Sequence, residues 1–152
     1  MREEFGHYTQ QEIFDMKIQG GCHCGNITYE AEIDPEKVSI CHCTDCQTGS
    51  GSGYRTNVQS LKNTFKLLTG QPKIYIKKTA ESGNPRAQGF CPECGTPLYS
   101  TTVTNQEVHG LRVGSIKQRA QLRPRSQGWF RSAQPWTQDI SALPKFEKQR
   151  PA

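Results

Sequence analysis

Long hydrophobic runs are absent from the sequence, and this absence argues against a membrane-spanning protein. No stretch of the 152-residue chain approaches the roughly 18 consecutive apolar residues that a membrane helix needs. The first residues, Met1 to Phe5, also lack the basic and then apolar layout of a secretory signal. We therefore expect no membrane partner and a cytoplasmic location.

Dense basic stripes are absent as well. The chain has 19 Lys and Arg residues against 14 Asp and Glu residues, which gives a formal net charge of +5. These basic residues are scattered, whereas a dedicated nucleic-acid-binding protein concentrates them on one face or helix. Nucleic acid is therefore not the expected partner, and the modest excess suits a small anionic substrate at least as well.

Apolar residues are scarce. Only 33% of the residues are hydrophobic, and the mean hydropathy is −0.75. The length predicts one domain, and no repeat, low-complexity segment or linker divides the chain. We expect residues 1–19 to form an N-terminal arm and residues 20–152 to form a single domain, whose thin core needs a further source of stability.

Short β-branched and aromatic segments separated by turn residues predict a mainly β fold with little helix. Residues 26–33 alternate apolar and polar side chains with a period of two, as a half-buried strand does. The other predicted strands are residues 37–40, 64–68, 73–78, 88–90, 98–102 and 108–113. Helix is predicted only as a short segment at residues 60–63 and one turn at residues 12–18.

Cysteine, in contrast, is abundant. Seven cysteines cannot be fully paired in disulfides, and each lies within three residues of another, as chelating pairs do. This spacing predicts zinc, and a redox dithiol or inert buried thiols are the alternatives. A structural zinc contributes roughly 10 kcal/mol to folding, which would compensate for the thin core. The seven are Cys22, Cys24, Cys41, Cys43, Cys46, Cys91 and Cys94.

The spacing divides the cysteines into a group of three and a group of four. Cys41, Cys43 and Cys46 lie within six residues, so one metal can take all three thiolates at a small cost in loop closure. The remaining two pairs, Cys22 with Cys24 and Cys91 with Cys94, would complete a closed tetrahedral site. The division into a group of four and a group of three cysteines therefore predicts two zinc ions. One is a structural zinc in the closed site, and the other is a catalytic zinc with an open position.

A rival grouping joins the first pair to Cys41 and Cys43 and leaves Cys46 with the last pair. The histidines are weaker candidates. His23 and His42 each lie between two cysteines of an extended segment, so their side chains point away from the metal that the cysteines share. His7 and His109 are isolated in sequence, and we expect them on the surface or in the core.

An open zinc with three thiolates predicts thiol chemistry. The net charge of such a site is about −1, which makes the metal a weak Lewis acid for water but a good partner for an external thiol. A thiolate held there can attack an aldehyde, or leave as a sulfur anion in the reverse direction. We therefore expect addition of a thiol to a carbonyl carbon, or cleavage of the carbon–sulfur bond.

The surroundings of the cysteines form an ordered set of motifs. They are Gly20-Gly21-Cys22-His23-Cys24-Gly25, Cys41-His42-Cys43-Thr44-Asp45-Cys46 leading to Ser50-Gly51, Phe90-Cys91-Pro92-Glu93-Cys94-Gly95-Thr96, Gln134-Pro135-Trp136 and Leu143-Pro144-Lys145-Phe146. Over roughly residues 18–148, this set resembles the glutathione-dependent formaldehyde-activating enzyme (GFA) family, which includes the centromere protein V relatives.

The resemblance implies a β-tent zinc fold of two packed antiparallel sheets. It also implies structural zinc on Cys22, Cys24, Cys91 and Cys94, and catalytic zinc on Cys41, Cys43 and Cys46. The implied activity is that of a carbon–sulfur lyase, which condenses formaldehyde with glutathione to S-hydroxymethylglutathione and catalyses the reverse reaction. The implied partner is glutathione or its adduct, and a homodimer is a further expectation. The alternative function is a non-catalytic zinc module that binds protein or nucleic acid.

Several other residues are candidates for the pocket. Residues 49–53 form a Gly/Ser loop that either holds an anion with its backbone N–H groups or is a flexible turn. A group of aromatic and basic side chains either forms a substrate wall or divides into core rings and surface charges. Tyr54 and Asp45 are weak candidates for proton transfer. The aromatic and basic group comprises Trp129, Phe130, Trp136, Arg123, Arg125 and Arg131.

Overall fold

The fold is mainly β and consists of two sheets. The structure, a computed structural model, describes residues 15–152. The smaller sheet contains three strands in the order β1 (Met16–Gly21), β2 (Thr28–Ile33) and β5 (Lys66–Thr69). The larger sheet contains seven strands in the order β10 (Ser126–Gly128), β3 (Ser39–Cys41), β4 (Arg55–Gln59), β9 (Gly110–Arg112), β8 (Pro97–Thr102), β7 (Arg86–Phe90) and β6 (Lys73–Lys77).

Helix is limited to one α-helix and five short 3₁₀ segments in the described residues. The α-helix, α1, spans Thr44–Ser50. The 3₁₀ segments are Pro35–Lys37, Val113–Ser115, Arg119–Gln121, Phe130–Ser132 and Pro135–Gln138. The prediction of a mainly β fold with two sheets and little helix is confirmed. All strand pairs are antiparallel except β10 with β3, which is parallel.

The core lies between the two sheets. In β2, Tyr29, Ala31 and Ile33 are buried while the residues between them are partly exposed, which is the period of two read from the sequence. The larger sheet contributes Val58 and Leu111 to the same core, in which further buried residues from both sheets take part. The chain has few apolar residues, and burial of these side chains stabilises the folded state.

Close packing in this core depends on aromatic rings. Phe65 stacks on the imidazole of His109 with 4.1 Å between the ring centroids, and Tyr99 meets both rings edge-on. His109 is therefore a core histidine. Burial and the charge of Arg86 lower its pKa to about 4. Gly89 lies under Tyr99, because a Cβ built there would be 2.4 Å from the ring.

Several predicted elements differ from the structure. The helix at residues 60–63 is wrong, because Ser60 forms a β-bridge with Ile33 and a turn follows, closed by the bond from the Thr64 N–H to the Leu61 carbonyl. The helical turn at residues 12–18 lies partly outside the described residues, and its described part belongs to β1. Strands β1, β4 and β10 and helix α1 were not predicted.

Candidate metal centres and the surrounding cavities

Four cysteines meet where the end of β1 approaches the turn between β7 and β8. The sulfurs of Cys22, Cys24, Cys91 and Cys94 all lie within 4.8 Å of one another. Gly25 and Gly95, each directly after a cysteine pair, have positive φ angles of 82° and 76°. Glycine adopts this conformation without steric cost, so both turns can direct two sulfurs toward a common point.

The distances between the sulfurs fit a tetrahedral zinc. The Cys22 and Cys24 sulfurs are 3.6 Å apart, and those of Cys24 and Cys91 are 3.8 Å apart. A tetrahedron with zinc–sulfur bonds of about 2.3 Å has edges of about 3.8 Å. Disulfides are excluded at these distances, since a bonded pair lies at about 2.05 Å. The donor set and its spacing therefore suit a closed zinc site.

Hydrogen bonds fix the two halves of this site to each other. The Ile27 N–H donates to the Cys22 sulfur at 3.2 Å, and the His23 N–H donates to the Thr96 hydroxyl at 3.0 Å. Hydrogen bonds from the Thr96 hydroxyl and backbone lower the pKa of the Cys94 thiol to about 5. Thr96 thus links the two cysteine pairs and favours a thiolate, which is the form that binds metal.

Three further cysteines meet at the end of β3. Cys41 is the last residue of that strand, Cys43 is the N-cap of α1, and Cys46 lies in the first turn of the helix. The Cys46 N–H donates to the Cys43 sulfur at 3.3 Å, so the cap itself draws two of the ligands together. All three sulfurs lie within 4.8 Å of one another and are half-buried.

The three thiols cannot ionise independently. A hydrogen bond from Cys46 lowers the pKa of the Cys41 thiol. The same bond, together with burial, raises the pKa of Cys46 above its ordinary value. A divalent cation would replace the shared protons, because metal ligation requires the thiolate form. The trio is therefore suited to a metal, and within residues 15–152 no other His, Cys, Asp or Glu joins it.

The structure brings the sulfurs together in the predicted groups of four and three, and not in the rival grouping. His42 is fully buried, and its Nε2 lies 2.8 Å from the Gln127 Oε1, so it lies beside the trio without joining it. His23 is exposed on the four-cysteine turn. His7 lies outside the described residues.

A cavity of about 510 Å³ opens beside the three-cysteine group and is lined by Cys43. Trp129 and Arg131 form part of its wall, with the Arg131 guanidinium 4.9 Å from the centre of the Trp129 ring. Asp45 lies at the same cavity, where its carboxylate is 2.8 Å from the Lys77 ammonium and accepts a hydrogen bond from Thr79 at 2.7 Å. Hydrogen bonds from Lys77 and Thr79 lower the pKa of Asp45, so this carboxylate is paired and ionised.

The expected core packing of the C-terminal aromatic residues is wrong. Trp129, Phe130 and Trp136 expose 43%, 56% and 57% of their surfaces. Two of them nevertheless pack against the segment around the three cysteines, because Phe130 meets the His42 ring edge-on and a Cβ on Gly53 would lie 2.9 Å from Trp136. The three arginines predicted with them differ in position. Arg131 lines the Cys43 cavity, whereas Arg125 pairs with Glu36 at 3.0 Å. Arg123 lines none of the cavities described here.

The Gly/Ser loop at residues 49–53 ends helix α1. Gly49 and Ser50 are the last residues of α1, and Gly51 caps the helix at a φ of 65°. The Gly51 N–H bonds to the carbonyls of Gln47 and Thr48 and is therefore not available to an anion.

Two arginines that the sequence analysis did not single out lie beside the trio. Arg55 and Arg112 both line two smaller cavities, of about 240 and 310 Å³. Burial, with the neighbouring Arg55 charge, lowers the pKa of Arg112 to about 9, so the Arg112 guanidinium is charged at neutral pH. The only sequence signal for Arg55 is that it follows Cys46 by nine residues. This signal is weak, because Val58 is the single apolar side chain between residues 55 and 59 and no strand pattern is visible there.

None of the helices within residues 15–152 combines the length and the apolar character needed to cross a lipid bilayer. Together, the two β-sheets and the two cysteine groups define a mainly β protein with two clusters of cysteines that could each hold a metal ion.

The family follows from comparison with known proteins. A family model described as glutathione-dependent formaldehyde-activating enzyme matches residues 17–132, and the chain belongs to this family. The chain is 26% identical to an uncharacterized lyase of Schizosaccharomyces pombe over 101 residues, which cover 66% of this chain and 69% of that protein. A crystal structure of a Rhodobacter sphaeroides protein matches with a TM-score of 0.54 at 18% identity, covering 72% of this chain and 98% of that one, which supports the fold.

Proposed function

We propose that this protein is a zinc-dependent carbon–sulfur lyase that acts on glutathione or the adduct of a related thiol. The reaction adds a thiolate sulfur to the carbonyl carbon of formaldehyde, and the oxygen takes up a proton to give the S-hydroxymethyl adduct. In reverse, the carbon–sulfur bond breaks and the aldehyde leaves. The family supports glutathione-related chemistry, and the S. pombe relative carries the name of a lyase.

The observation that carries the proposal is the three-cysteine group beside a cavity. Its sulfurs are half-buried, Cys43 lines the cavity, and no fourth ligand of the chain joins them in the described residues. Zinc bound by three thiolates supplies an open position and lowers the pKa of an incoming thiol. The Trp129 ring and the Arg131 guanidinium form the wall against which the rest of a small anionic thiol would be oriented.

Asp45 is not the proton-transfer group in this proposal. Its carboxylate is already engaged by Lys77 and Thr79 at 2.8 and 2.7 Å. This ion pair instead places an ammonium at the rim of the cavity, where it attracts an anionic thiol. Tyr54 contacts the His42 ring edge-on and lines the neighbouring cavity, and neither contact assigns it a role in proton transfer.

The decisive experiment combines metal analysis with the reaction itself. We expect two zinc ions per chain in the wild type and one in Cys43→Ser, measured by inductively coupled plasma mass spectrometry on folded protein. Exchange between ¹³C-formaldehyde and S-hydroxymethylglutathione, followed by NMR, should be accelerated by the wild type and not by the variant. A wild type with two zinc ions that accelerates neither this reaction nor thiol release from other adducts would favour the non-catalytic module.

We also propose a homodimer and a cytoplasmic location. The edge strand β6 exposes Ile74, Tyr75 and Ile76, and an exposed apolar edge favours pairing with another chain. All seven cysteines are unpaired thiols, which suits a reducing compartment. Sedimentation of the wild type against Ile76→Lys tests the dimer, and a wild type that sediments as a monomer would contradict it.

A further inference from the structure

Two arginine side chains in the larger sheet have no carboxylate partner; Arg55 is buried and Arg112 is half-buried. Arg55 exposes only 7% of its surface, and the Nε atoms of Arg55 and Arg112 have no hydrogen-bond partner. Arg112 donates one bond, from Nη1 to the Asn57 side chain at 2.7 Å. No ion pair among residues 15–152 includes either arginine. Burying unpaired charges is costly, so the arrangement calls for an anion.

The strand register places these arginines on the same side of the sheet as the three-cysteine group. Cys41 of β3 is directly opposite Arg55 of β4, and Asn57 of β4 is directly opposite Arg112 of β9. Directly opposite residues share a face, and so do alternate residues of one strand. Cys41, Arg55 and Arg112 therefore share one face, and Val58 and Leu111 point from the other face into the core.

The thiolates of the metal site do not by themselves balance this charge. Three thiolates around a divalent zinc leave about one negative charge, against two guanidinium groups. Arg86 adds a third positive charge on the same sheet and repels Arg112. A second anion is needed, and no carboxylate of the described chain supplies it.

Space for that anion exists beside both arginines. Both arginines line the two cavities of about 240 and 310 Å³, whose walls include the polar side chains of Thr56 and Gln88. Arg55 lies against the end of α1, because a Cβ on Gly49 would be only 2.2 Å from the Arg55 Nη2. Glycine at this position permits the guanidinium to lie where it does.

We propose that Arg55 and Arg112 bind a carboxylate of the substrate, so that the site selects thiols that also carry a carboxylate. Guanidinium groups are suited to this role, because their planar donors match the two oxygens of a carboxylate. That the bound carboxylate belongs to a thiol substrate rests on the proposed function. The carboxylate site itself does not depend on the lyase activity.

The test compares two thiols that differ only in charge. Isothermal titration calorimetry of the zinc-loaded full chain would measure the affinity for 3-mercaptopropionate and for its uncharged amide. A charge-assisted contact predicts at least about a tenfold preference of the wild type for the acid. In Arg112→Met the two affinities should become nearly equal, while Arg125→Met, which removes the same charge from an exposed surface pair, should keep the preference.

A second variant keeps the test informative if Arg112→Met does not fold. Gly49→Ala retains both charges and favours the helix, but its methyl group displaces the Arg55 guanidinium. The preference should fall in this variant at unchanged zinc content. A preference that survives in Gly49→Ala and in folded Arg112→Met overturns the inference.

The remaining outcomes separate this inference from the proposed function. Equal affinities of the wild type for the acid and the amide refute the carboxylate site and leave the lyase proposal standing. If neither thiol binds but propionate does, and Arg112→Met loses propionate, the carboxylate site stands and thiol binding fails. If the wild type binds none of the three, both ideas are wrong.

Discussion

Cys94→Ser should unfold the protein, whereas Cys43→Ser should leave it folded. The four-cysteine site joins parts of the chain that are distant in sequence, since Cys24 and Cys91 are 67 residues apart. A cross-link over such a loop reduces the entropy of the unfolded chain and so raises its free energy by about 4 kcal/mol. A cross-link over the six residues that contain Cys41, Cys43 and Cys46 raises it by about 2 kcal/mol. The zinc itself contributes roughly 10 kcal/mol at a structural site, which is comparable to the roughly 5–15 kcal/mol net stability of a domain.

Far-ultraviolet circular dichroism with thermal melting measures this difference, and zinc content is determined on the same samples. We expect no cooperative melting transition for Cys94→Ser at room temperature or above. For Cys43→Ser we expect a transition within a few degrees of the wild type and the loss of one zinc. The reasoning is refuted if Cys94→Ser melts like the wild type, or if Cys43→Ser is the variant that unfolds.

Two smaller predictions concern the core. Gly89→Ala should lower the free energy of unfolding by about 1–3 kcal/mol in urea denaturation, because its methyl group meets the Tyr99 ring. The control is Gly114→Ala, which has open space around the added methyl group and should leave the free energy of unfolding unchanged. Equal effects of the two changes would contradict this packing. His109 has a pKa of about 4 in the folded protein against an ordinary 6.5, so the folded state binds fewer protons between these values and stability should fall as the pH falls through them. His109→Phe should melt with a shallower dependence on pH over that interval, and identical slopes for the variant and the wild type would show that His109 does not contribute.

Strand β2 shows how alternating apolar and polar residues predict a strand. Strand β2 was recognised because Tyr29, Ala31 and Ile33 face the core at every second position. Strand β4 was missed because Val58 is the only apolar side chain between residues 55 and 59. Its opposite face carries the polar side chains of Arg55 and Asn57, so the strand lacks the repeated apolar positions that would reveal it.

Local spacing was sufficient for the cysteine groups but not for their surroundings. Helix α1 begins at a cysteine cap, and Gly49 within it reads as a turn, so the residues around Cys46 gave no helical pattern. Arg112 lies 66 positions after Cys46 in sequence and reaches the site only through the pairing of β9 with β4. Such neighbours depend on register across the sheet, which no single-sequence pattern contains.

The two cysteine groups differ in how far stability and chemistry depend on each other. The group of four holds distant segments together, so any exchange of its ligands would threaten the fold. The trio takes its sulfurs from six consecutive residues at the end of β3 and the start of α1, where the strand ladder to β4 and the helix cap hold the backbone independently of a metal. A site built in this way can exchange an external ligand during each reaction cycle at little cost to folding. This separation is the physical reason for which we propose that the chemistry takes place at Cys41, Cys43 and Cys46.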